Sequence, residues 1–565
     1  GTAALAVAAA GARVQAGADV GGAAGAAASA ENALGACVDA GAGAPAGRLP
    51  RHRSNHGVNA VLVETEDVLQ RILRGDESLE LPAWASGRHA EGVHANSYVN
   101  LGDADIVGFD YDYTLARYNS ELLCLIYDLA KELLEDSFRY PPGLLHLKKY
   151  DPDFAIRGLA VDLETAWVCK ITYKFRVATA FYGRERVPQE EVQRVYQSCK
   201  GAGVRSVDER MRRLRPLNDM FSMVEACLLA DVVQWFLDKR IPFEPRSVVT
   251  DVIKAVGLVH ASGMMHRAVS ENLGLYFEPD PSARIARLLK GLKAAGKKLM
   301  LASNSEFWYV DRGMRHAVSG DWQDLFDVVV VSAGKPAFYT QSRPFREVSR
   351  ETGSVLFQPI ERIQAGRVYC DGCIEELVRL TGWGGSQVIY FGDSIFHDLV
   401  EARRMWGWTT GIIIPEIRHE LDVQGSSDWG RGRHAIHALR HCLRACQDVM
   451  AGCASGATGE YRQSADDAEL LDALEDLTTA WQRHGDACVN KNFGSIFRTT
   501  KRLGSMPSFF ARCLQRHVDF YMSDLGNLCA YSPDHRFYPT ERHVGLTAEP
   551  RRVLDHLPGR PVELE

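Results

Sequence analysis

Two acidic residues, Asp110 and Asp112, stand two positions apart directly after a short apolar run at 104–109. Residues two apart in an extended segment project to the same side, so both carboxylates can face one pocket. One carboxylate can attack phosphorus and form an aspartyl phosphate. The second, as a carboxylic acid, can protonate the leaving oxygen and later activate water. The pattern, which ends at Thr114, therefore indicates phosphoester chemistry, although a polar turn after a strand would look the same in sequence.

Two further polar stretches follow predicted strands and could bind a phosphoryl group. Ser303 and Asn304 end a strand predicted at 298–302, where a hydroxyl, an amide and backbone N–H groups can hold phosphoryl oxygens. The same residues could instead cap the next helix. Lys335 follows a strand predicted at 326–331 and can neutralise the charge of phosphate and aspartate, whereas a lysine taken singly is most often a solvated surface group.

A fourth stretch pairs Asp393 with Asp398 after a strand predicted at 387–391. An apolar strand, a glycine, an acid and a second acid five residues later form a pattern typical of a metal site, or alternatively of a simple turn. Magnesium prefers hard oxygen ligands and keeps several waters. The carboxylates of Asp110 and Asp393, with the backbone carbonyl of Asp112, would be sufficient ligands.

Short apolar strands alternate with helices along the middle of the chain. A helix predicted at 283–295 precedes the strand at 298–302, and a strand predicted at 409–414 is stopped by Pro415. This alternation favours an open parallel sheet covered by helices on both faces. Because ligands bind at the carboxyl ends of such strands, the four polar stretches, which follow four strands in order, predict one active site.

Helical periodicity marks other segments. Helices are predicted at 120–136 and 220–237. The predicted apolar face of the first comprises Leu122, Leu125, Leu129 and Leu133. Beyond 430 the chain turns helical, and its apolar stripes predict packing surfaces. The last of these stripes comprises Phe510, Leu514, Val518 and Tyr521.

At these motifs the sequence resembles the haloacid dehalogenase superfamily and, within it, the cytosolic purine 5′-nucleotidase branch with its 5′-nucleotidase domain-containing proteins. The resemblance covers roughly 95–545. The stretches that carry it are 108–116, 150–159, 303–305, 310–314, 335–336, 343–346, 390–393, 407–416, 493–498 and 519–522.

The resemblance implies an α/β fold with a Rossmann-like parallel-sheet core of the haloacid dehalogenase type. The core would comprise 58–119 and 286–430, with an inserted α+β cap at 120–285 and a helical C-terminal extension at 431–565. It further implies magnesium-dependent hydrolysis of nucleoside 5′-monophosphates through an aspartyl phosphate. The implied partners are a small phosphomonoester and further copies of the chain in a homo-oligomer.

The resemblance also implies a role for each motif residue. By position, Asp110 is the nucleophile and a metal ligand, and Asp112 is the general acid and base. Asp393 is a metal ligand, and Asp398 supports the metal and the lysine. The residues implied to hold the phosphoryl group are Thr114, Ser303, Asn304 and Lys335, the last of which also neutralises charge during catalysis.

The sequence departs from the family pattern in several places. Ser303 stands where threonine is frequent, and serine keeps the hydroxyl of threonine. Ser394 stands where histidine is common. In the cap, 179–183 does not reproduce the aromatic and asparagine residues that help to hold a purine. Arg246 and Asp251 are candidates for recognition of the base or ribose.

Two other functions stay open beside the nucleotidase reading. The divergent cap favours a phosphatase for a different phosphorylated metabolite. The long helical C-terminal region favours an interaction protein that keeps the fold with little turnover, because fold alone does not fix function.

Composition excludes some function classes. The 565 residues include 65 basic and 72 acidic residues, which gives a net charge of −7. The chain therefore lacks the excess of basic residues that would predict nucleic-acid binding. No apolar run is long enough to predict a transmembrane helix. The 13 cysteines, with one C-x-x-C pair at Cys370 and Cys373, predict free thiols in a reducing compartment.

The first part of the chain has a different character. Residues 1–57 are rich in alanine and glycine and lack periodicity, which predicts a disordered leader. Because the leader contains arginine and few acids, a mitochondrial or other organelle transit peptide is an alternative. The resemblance implies a cytoplasmic location.

Overall fold

The computed structural model describes residues 92–539, except 145, 147, 198–211, 281–282, 319, 456–464 and 502–503. The predicted leader at 1–57 and the predicted start of folded structure near Val58 lie outside the described residues. Contacts divide the chain into a large unit, His89–His434 with Thr479–Ala548, and a second unit to which Ala435–Thr478 belongs.

Strands and helices alternate through the described residues. The strands are β1 (Val93–Ala95), β2 (Val99–Asn100), β3 (Ile106–Phe109), β4 (Leu159–Asp162), β5 (Trp167–Ile171), β6 (Val177–Tyr182), β7 (Glu185–Arg186), β8 (Leu214–Leu217), β9 (Lys298–Ala302), β10 (Val328–Val331), β11 (Phe345–Val348), β12 (Val355–Leu356), β13 (Val368–Asp371), β14 (Val388–Gly392), β15 (Thr409–Ile413), β16 (Arg498–Lys501), β17 (Gly504–Pro507), β18 (Phe520–Met522) and β19 (Arg536–Phe537). The α-helices are α1 (Ser120–Asp136), α2 (Gln189–Gln197), α3 (Ser222–Lys239), α4 (Pro245–Ala261), α5 (Met264–Glu271), α6 (Leu273–Tyr276), α7 (Arg284–Ala294), α8 (Phe307–Ala317), α9 (Ala337–Thr340), α10 (Ile374–Thr381), α11 (Val400–Trp406), α12 (Glu416–Gly425), α13 (Ser427–Ser455), α14 (Ala465–Val489) and α15 (Phe509–His517).

A ten-stranded sheet forms the centre of the large unit, in the order β1-β18-β15-β14-β3-β9-β10-β13-β11-β12. The strands from β18 to β13 run parallel to one another, and β1, β11 and β12 pair antiparallel at the edges. Strands β3, β10 and β14 are buried along their whole length, as strands covered on both faces must be. The prediction of a mixed α/β fold with a parallel sheet is confirmed.

The C-terminal part of the chain contributes to this sheet, which the sequence pattern did not predict. Helix α15 ends at His517, and β18 then pairs parallel with β15 and antiparallel with β1. The helical stripe predicted to extend through Val518 and Tyr521 is therefore wrong beyond α15. Residues 520–522 are all buried, and a short, fully buried strand carries no periodicity that separates it from a helix. Region 431–565 is consequently not purely helical, because β16, β17 and β19 also belong to it.

The region between the first and second motifs contains its own five-stranded antiparallel sheet, in the order β7-β6-β5-β4-β8, together with helices α1 to α6. Helix α1 spans 120–136 as predicted, but its buried face is turned from the predicted one because it packs against both α3 and α4. Of the four predicted leucines, only Leu122 is fully buried. The buried residues are Leu122, Leu123, Ile126, Tyr127, Ala130 and Leu134.

Within the described residues, no single helix has the length and apolar character needed to cross a membrane. Helices α4 and α5 reach these limits only when taken as a pair, and the pair is bent by 50°.

Gly313 gives a test of the packing beneath the first motif. It lies inside helix α8, and a Cβ at this position would overlap the hydroxyl of Tyr111, which is itself fully buried. We expect Gly313→Ala to lower the free energy of unfolding by about 1–3 kcal/mol, as overpacking of a filled core does. Chemical denaturation of the full chain measures this change.

Gly257 is the matched control, because it is a helical glycine in α4 with no atom within contact of an added Cβ. Gly257→Ala should stabilise the chain by up to about 1 kcal/mol through helix propensity alone. Equal effects of the two substitutions would contradict the packing described here.

Candidate active site

The predicted site residues meet at one edge of the ten-stranded sheet. Asp110, Ser303, Lys335 and Asp393 follow β3, β9, β10 and β14, which are adjacent in the order β14-β3-β9-β10. Main-chain hydrogen bonds continue the ladder into these residues: the N–H of Asp110 donates to Phe391 O at 2.8 Å, and that of Ser303 to Val330 O at 2.9 Å. Asp110 and Ser303, the first residues after β3 and β9, are therefore held as firmly as those strands.

Lys335 is the centre of the site. Its side chain is 2% exposed, and Nζ lies 2.8 Å from Asp110 Oδ1 and 2.6 Å from Asp398 Oδ1. Nζ also donates to the hydroxyl of Tyr390 at 3.1 Å, so its three protons all have acceptors. Burial works to lower the pKa of Lys335, but the two carboxylates outweigh it and hold the pKa above its ordinary value. The ammonium group is therefore charged throughout the physiological range.

The side-chain amide of Asn304 bonds both the main-chain N–H and the main-chain oxygen of Lys335. Its Nδ2 donates to Lys335 O at 3.0 Å, and its Oδ1 accepts from Lys335 N–H at 2.7 Å. The side-chain amide predicted to bind phosphate is thus used to position the lysine. Ser303, the other predicted phosphate ligand of this loop, is fully buried, and its Oγ accepts from the N–H of Ser305 at 3.0 Å.

Two hydroxyl groups hold the carboxylate of Asp112. Tyr118 donates to Oδ1 at 2.7 Å, and Ser305 donates to Oδ2 at 2.6 Å. The Tyr118 hydroxyl also shares a 2.8 Å hydrogen bond with that of Tyr309. Sequence reasoning assigned no role to these three residues. Ser305 belongs to the stretch 303–305, and this position was the one sequence signal of a functional role. Tyr118 and Tyr309 lie outside the predicted motifs.

Three buried carboxylates could hold a divalent cation. Asp110, Asp393 and Asp398 place one oxygen each within 4.8 Å of the others. Asp393 Oδ2 is buried and has no hydrogen-bond partner among the described residues. Asp398 uses both oxygens, one toward Lys335 and one accepting from Ser394 N–H at 3.1 Å, which fits the predicted supporting role. Asp393 Oδ2 and the Asp110 oxygen that Lys335 does not contact are therefore the carboxylate oxygens suited to face a cation. The carbonyl of Asp112 stays a predicted ligand.

The protonation of these carboxylates reflects their crowding. Burial raises the pKa of Asp110 to about 7, Lys335 opposes this rise, and Asp398 and Asp112 add to it. Burial also raises the pKa of Asp393 well above its usual value, and the negative charges of Asp398 and Asp110 contribute. One lysine does not balance this set of acids. A hard dication in contact with Asp110 and Asp393 would supply the missing charge, so the donor set fits magnesium.

A buried arginine that the sequence analysis did not single out links the inserted region to the loop that contains Asp393. Arg157 Nη1 donates to the main-chain oxygen of Asp393 at 3.0 Å, and Nε donates to Glu416 Oε1 at 2.9 Å. The side chain is fully buried. Its partners lie more than 200 residues further along the chain, so spacing alone could not have revealed them.

A cavity of about 440 Å³ opens beside the first motif. Its lining includes Thr114, whose buried Oγ1 has no partner among the described atoms. Arg246 and Asp251 do not line this cavity, and their role in substrate recognition stays a prediction. Arg246 is exposed on α4, and Asp251 accepts from the Tyr140 hydroxyl at 3.1 Å. Helical spacing could not show which neighbours these two residues of α4 meet.

Comparison with known proteins gives a consistent result. The model of the 5′ nucleotidase family matches residues 93–546. A 5′-nucleotidase domain-containing protein of Dictyostelium discoideum is 33% identical over 470 residues, which is 80% of this chain and 74% of the relative. The human 5′-nucleotidase domain-containing protein 2 is 35% identical over 482 residues, covering 82% of this chain and 86% of the relative. Its rat counterpart is 35% identical over 478 residues, with coverages of 82% and 81%.

The raised pKa of Asp110 predicts a stability difference that depends on pH. In the folded chain without divalent cations the pKa of Asp110 is about 7, against an ordinary value of 3.8. Between these two pH values, unfolding therefore releases a proton that the folded chain holds. Stability is therefore lost as the pH rises from about 4 to 7, by about 1 kcal/mol per pH unit. Asp110→Asn removes this loss. In the presence of chelator, the unfolding temperature of the Asp110→Asn variant should exceed that of the wild type at pH 8. The two unfolding temperatures should approach each other at pH 5.

The control substitution is Asp422→Asn, at an exposed position on α12. It should leave the unfolding temperature close to that of the wild type at both pH values. A stability gap between Asp110→Asn and wild type that did not widen with pH would contradict the buried charge described here.

Proposed function

The chain belongs to the 5′-nucleotidase family and is a phosphoric monoester hydrolase, and we propose that it hydrolyses nucleoside 5′-monophosphates through an aspartyl phosphate on Asp110. The observation that carries this proposal is the buried Lys335, which holds Asp110 and Asp398 while Asp393 keeps a free oxygen. These contacts supply a fixed nucleophile, a positive charge for the phosphoryl group and a place for a cation. The core around them would be of the haloacid dehalogenase type.

In the first step, a carboxylate oxygen of Asp110 attacks phosphorus and the bond to the ribose 5′ oxygen breaks. Asp112, as a carboxylic acid, gives its proton to that oxygen, and the nucleoside leaves. Lys335 neutralises the combined charge of the aspartate and phosphoryl oxygens. The free hydroxyl of Thr114 and the loop at Ser303 are suited to hold the remaining phosphoryl oxygens.

In the second step, the carboxylate of Asp112 takes a proton from water, and the resulting hydroxide attacks phosphorus. The acyl phosphate bond breaks, inorganic phosphate leaves, and Asp110 is restored. The hydrogen bonds from Tyr118 and Ser305 keep Asp112 in one orientation through both steps. Each carboxylate oxygen of Asp112 retains a further lone pair for the substrate side.

We propose magnesium as the cofactor, held by Asp110, Asp393 and the backbone carbonyl of Asp112. When bound, the cation offsets the negative charge that gathers on the phosphoryl oxygens. The unpartnered Asp393 Oδ2 and the raised pKa values of Asp110 and Asp393 support this assignment. Arg157 fixes the main chain of Asp393 and so the direction of that oxygen.

We propose that the inserted region 120–285 is a cap and that the adjoining cavity receives the nucleoside. About 440 Å³ lies within the range of small-molecule sites. Its lining is partly aromatic and apolar, which suits a base, because flat rings stack on aromatic side chains. The residues with this character are Tyr113, Tyr118, Tyr150, Met220 and Met223.

The cellular setting is also a proposal. No disulfide joins the cysteines that the structure describes, which supports a reducing compartment such as the cytoplasm. A homo-oligomer remains an expectation that follows from the family resemblance.

Phosphate release from a panel of nucleoside monophosphates tests the function. We expect release with magnesium, no release with chelator, and loss of essentially all turnover in Asp110→Asn, because the nucleophile is gone. Asp422→Asn, an exposed change, should keep wild-type activity. Sugar phosphates belong in the panel, since their preferential hydrolysis would replace the nucleotide assignment with another phosphomonoester. Silence on every ester would refute the hydrolytic proposal.

Ser305→Ala and Tyr118→Phe test the positioning of Asp112. Each removes one hydroxyl donor and leaves the carboxylate itself in place, so kcat should fall by about tenfold with little change in KM, a part of the full effect of a general acid. Steady-state kinetics at saturating magnesium measure the split. Tyr98→Phe, at an exposed tyrosine, is the matched control. Unchanged kcat in both variants would show that Asp112 needs neither donor.

A further inference from the structure

Three side chains with metal-binding atoms, none of them assigned to the candidate active site, lie close together. They are Asp428 in the first turn of α13 and His484 and Cys488 near the end of α14. One ligand atom from each lies within 4.8 Å of the other two. Asp428 and His484 are exposed and Cys488 is half-buried, so the cluster is open to ions from solution.

The distances between these atoms resemble the edges of a metal tetrahedron. His484 Nε2 lies 3.4 Å from Asp428 Oδ2 and 3.9 Å from Cys488 Sγ. Tetrahedral zinc, with bonds of about 2.0 Å to nitrogen and oxygen and about 2.3 Å to sulfur, would place nitrogen about 3.3 Å from oxygen and about 3.6 Å from sulfur. A small side-chain adjustment would close the difference. His484 and Cys488 are four residues apart on one helix and therefore share a face.

Neighbouring residues fix the orientation of the cluster. Arg431 donates to Asp428 Oδ1 at 2.9 Å, which leaves Oδ2 directed at His484. The ring of Trp481 contacts the ring of His484 edge-on, with centroids 5.8 Å apart. Partners of this kind set ligand geometry in metal sites.

The helices that carry the cluster approach each other closely beside it. A Cβ on Gly432 of α13 would stand 3.5 Å from Trp481, and one on Gly485 of α14 would stand 3.3 Å from Trp429. The guanidinium of Arg498 also covers the Trp429 ring at 4.5 Å. The helix segments that carry the three ligands are therefore closely packed.

We propose that Asp428, His484 and Cys488 form a zinc site, with water as the fourth ligand. Nitrogen and sulfur donors select zinc over magnesium. The thiol of Cys488 loses its proton to solvent as the sulfur–zinc bond forms, and His484 binds through the lone pair of neutral Nε2. Aspartate and thiolate then balance the charge of the ion. The ion would fasten the first turn of α13 to the last turns of α14.

Without a metal, the same contacts amount to an exposed aspartate–histidine pair, which contributes little to stability. Zinc titration of the full chain by calorimetry separates the two cases. The protein is stripped with chelator and kept in millimolar magnesium, which occupies the acidic site. We expect one zinc ion per chain with release of about one proton. Cys488→Ser, His484→Ala and Asp428→Asn should each weaken binding by more than about tenfold.

Cobalt provides a second readout, because a thiolate ligand gives a charge-transfer band in the near ultraviolet. The band should be lost in Cys488→Ser and kept in Cys442→Ser, which alters a half-buried thiol elsewhere on α13. His437→Ala removes an exposed histidine of α13 outside the cluster and should leave zinc affinity unchanged. Binding that survives the three cluster substitutions, or that depends on His437, would overturn the proposal.

The zinc site is distinguishable from the proposed hydrolytic site. Asp393→Asn should abolish phosphate release and leave the cobalt band intact. His484→Ala should lose the high-affinity zinc ion and keep the hydrolysis rate measured in magnesium. Loss of the band in Asp393→Asn would count against an independent metal site.

Discussion

The buried ammonium group of Lys335 is the interaction on which the candidate site depends. It faces two carboxylates and a tyrosine hydroxyl, and the side-chain amide of Asn304 fixes its backbone. An ion pair buried this deeply is held only where every donor finds an acceptor, because desolvation otherwise costs several kcal/mol. The sheet meets this demand by ending β3, β9, β10 and β14 side by side.

Much of this arrangement follows from the sequence because strand ends in a parallel sheet converge. Asp110, Ser303, Lys335 and Asp393 each follow a buried apolar run, so their meeting could be predicted without any distances. The roles of Asn304, Tyr118 and Arg157 could not, since each depends on a partner supplied by the folded chain. The predicted roles of Arg246 and Asp251 stay predictions, because spacing along a helix does not say which neighbour the helix faces. The strand at 520–522 lacked any period that could identify it.

The site also shows how positive charge is divided between fixed and exchangeable sources. The positive charge of Lys335 is a fixed part of the protein. Arg157 donates to the main-chain oxygen of Asp393, and its own charge is paired with Glu416. Neither cation contacts Asp393 Oδ2. A divalent cation at the proposed site would offset the remaining acidic charge, and its binding would couple the stability of the folded state to the cation supply.

Strand β18 has a consequence for synthesis of the protein. It lies between β1 and β15, so the main sheet joins residues 93–95 to residues 520–522. On the ribosome, a chain that has emerged only through β15 carries an unpaired sheet edge until residues 520–522 have also been made. Pairings so distant in sequence form late, and exposed edges invite association with other chains. The last pairings of this sheet therefore wait for residues 520–522, and until then the edge of β15 is a surface that chaperones which shield strand edges could cover.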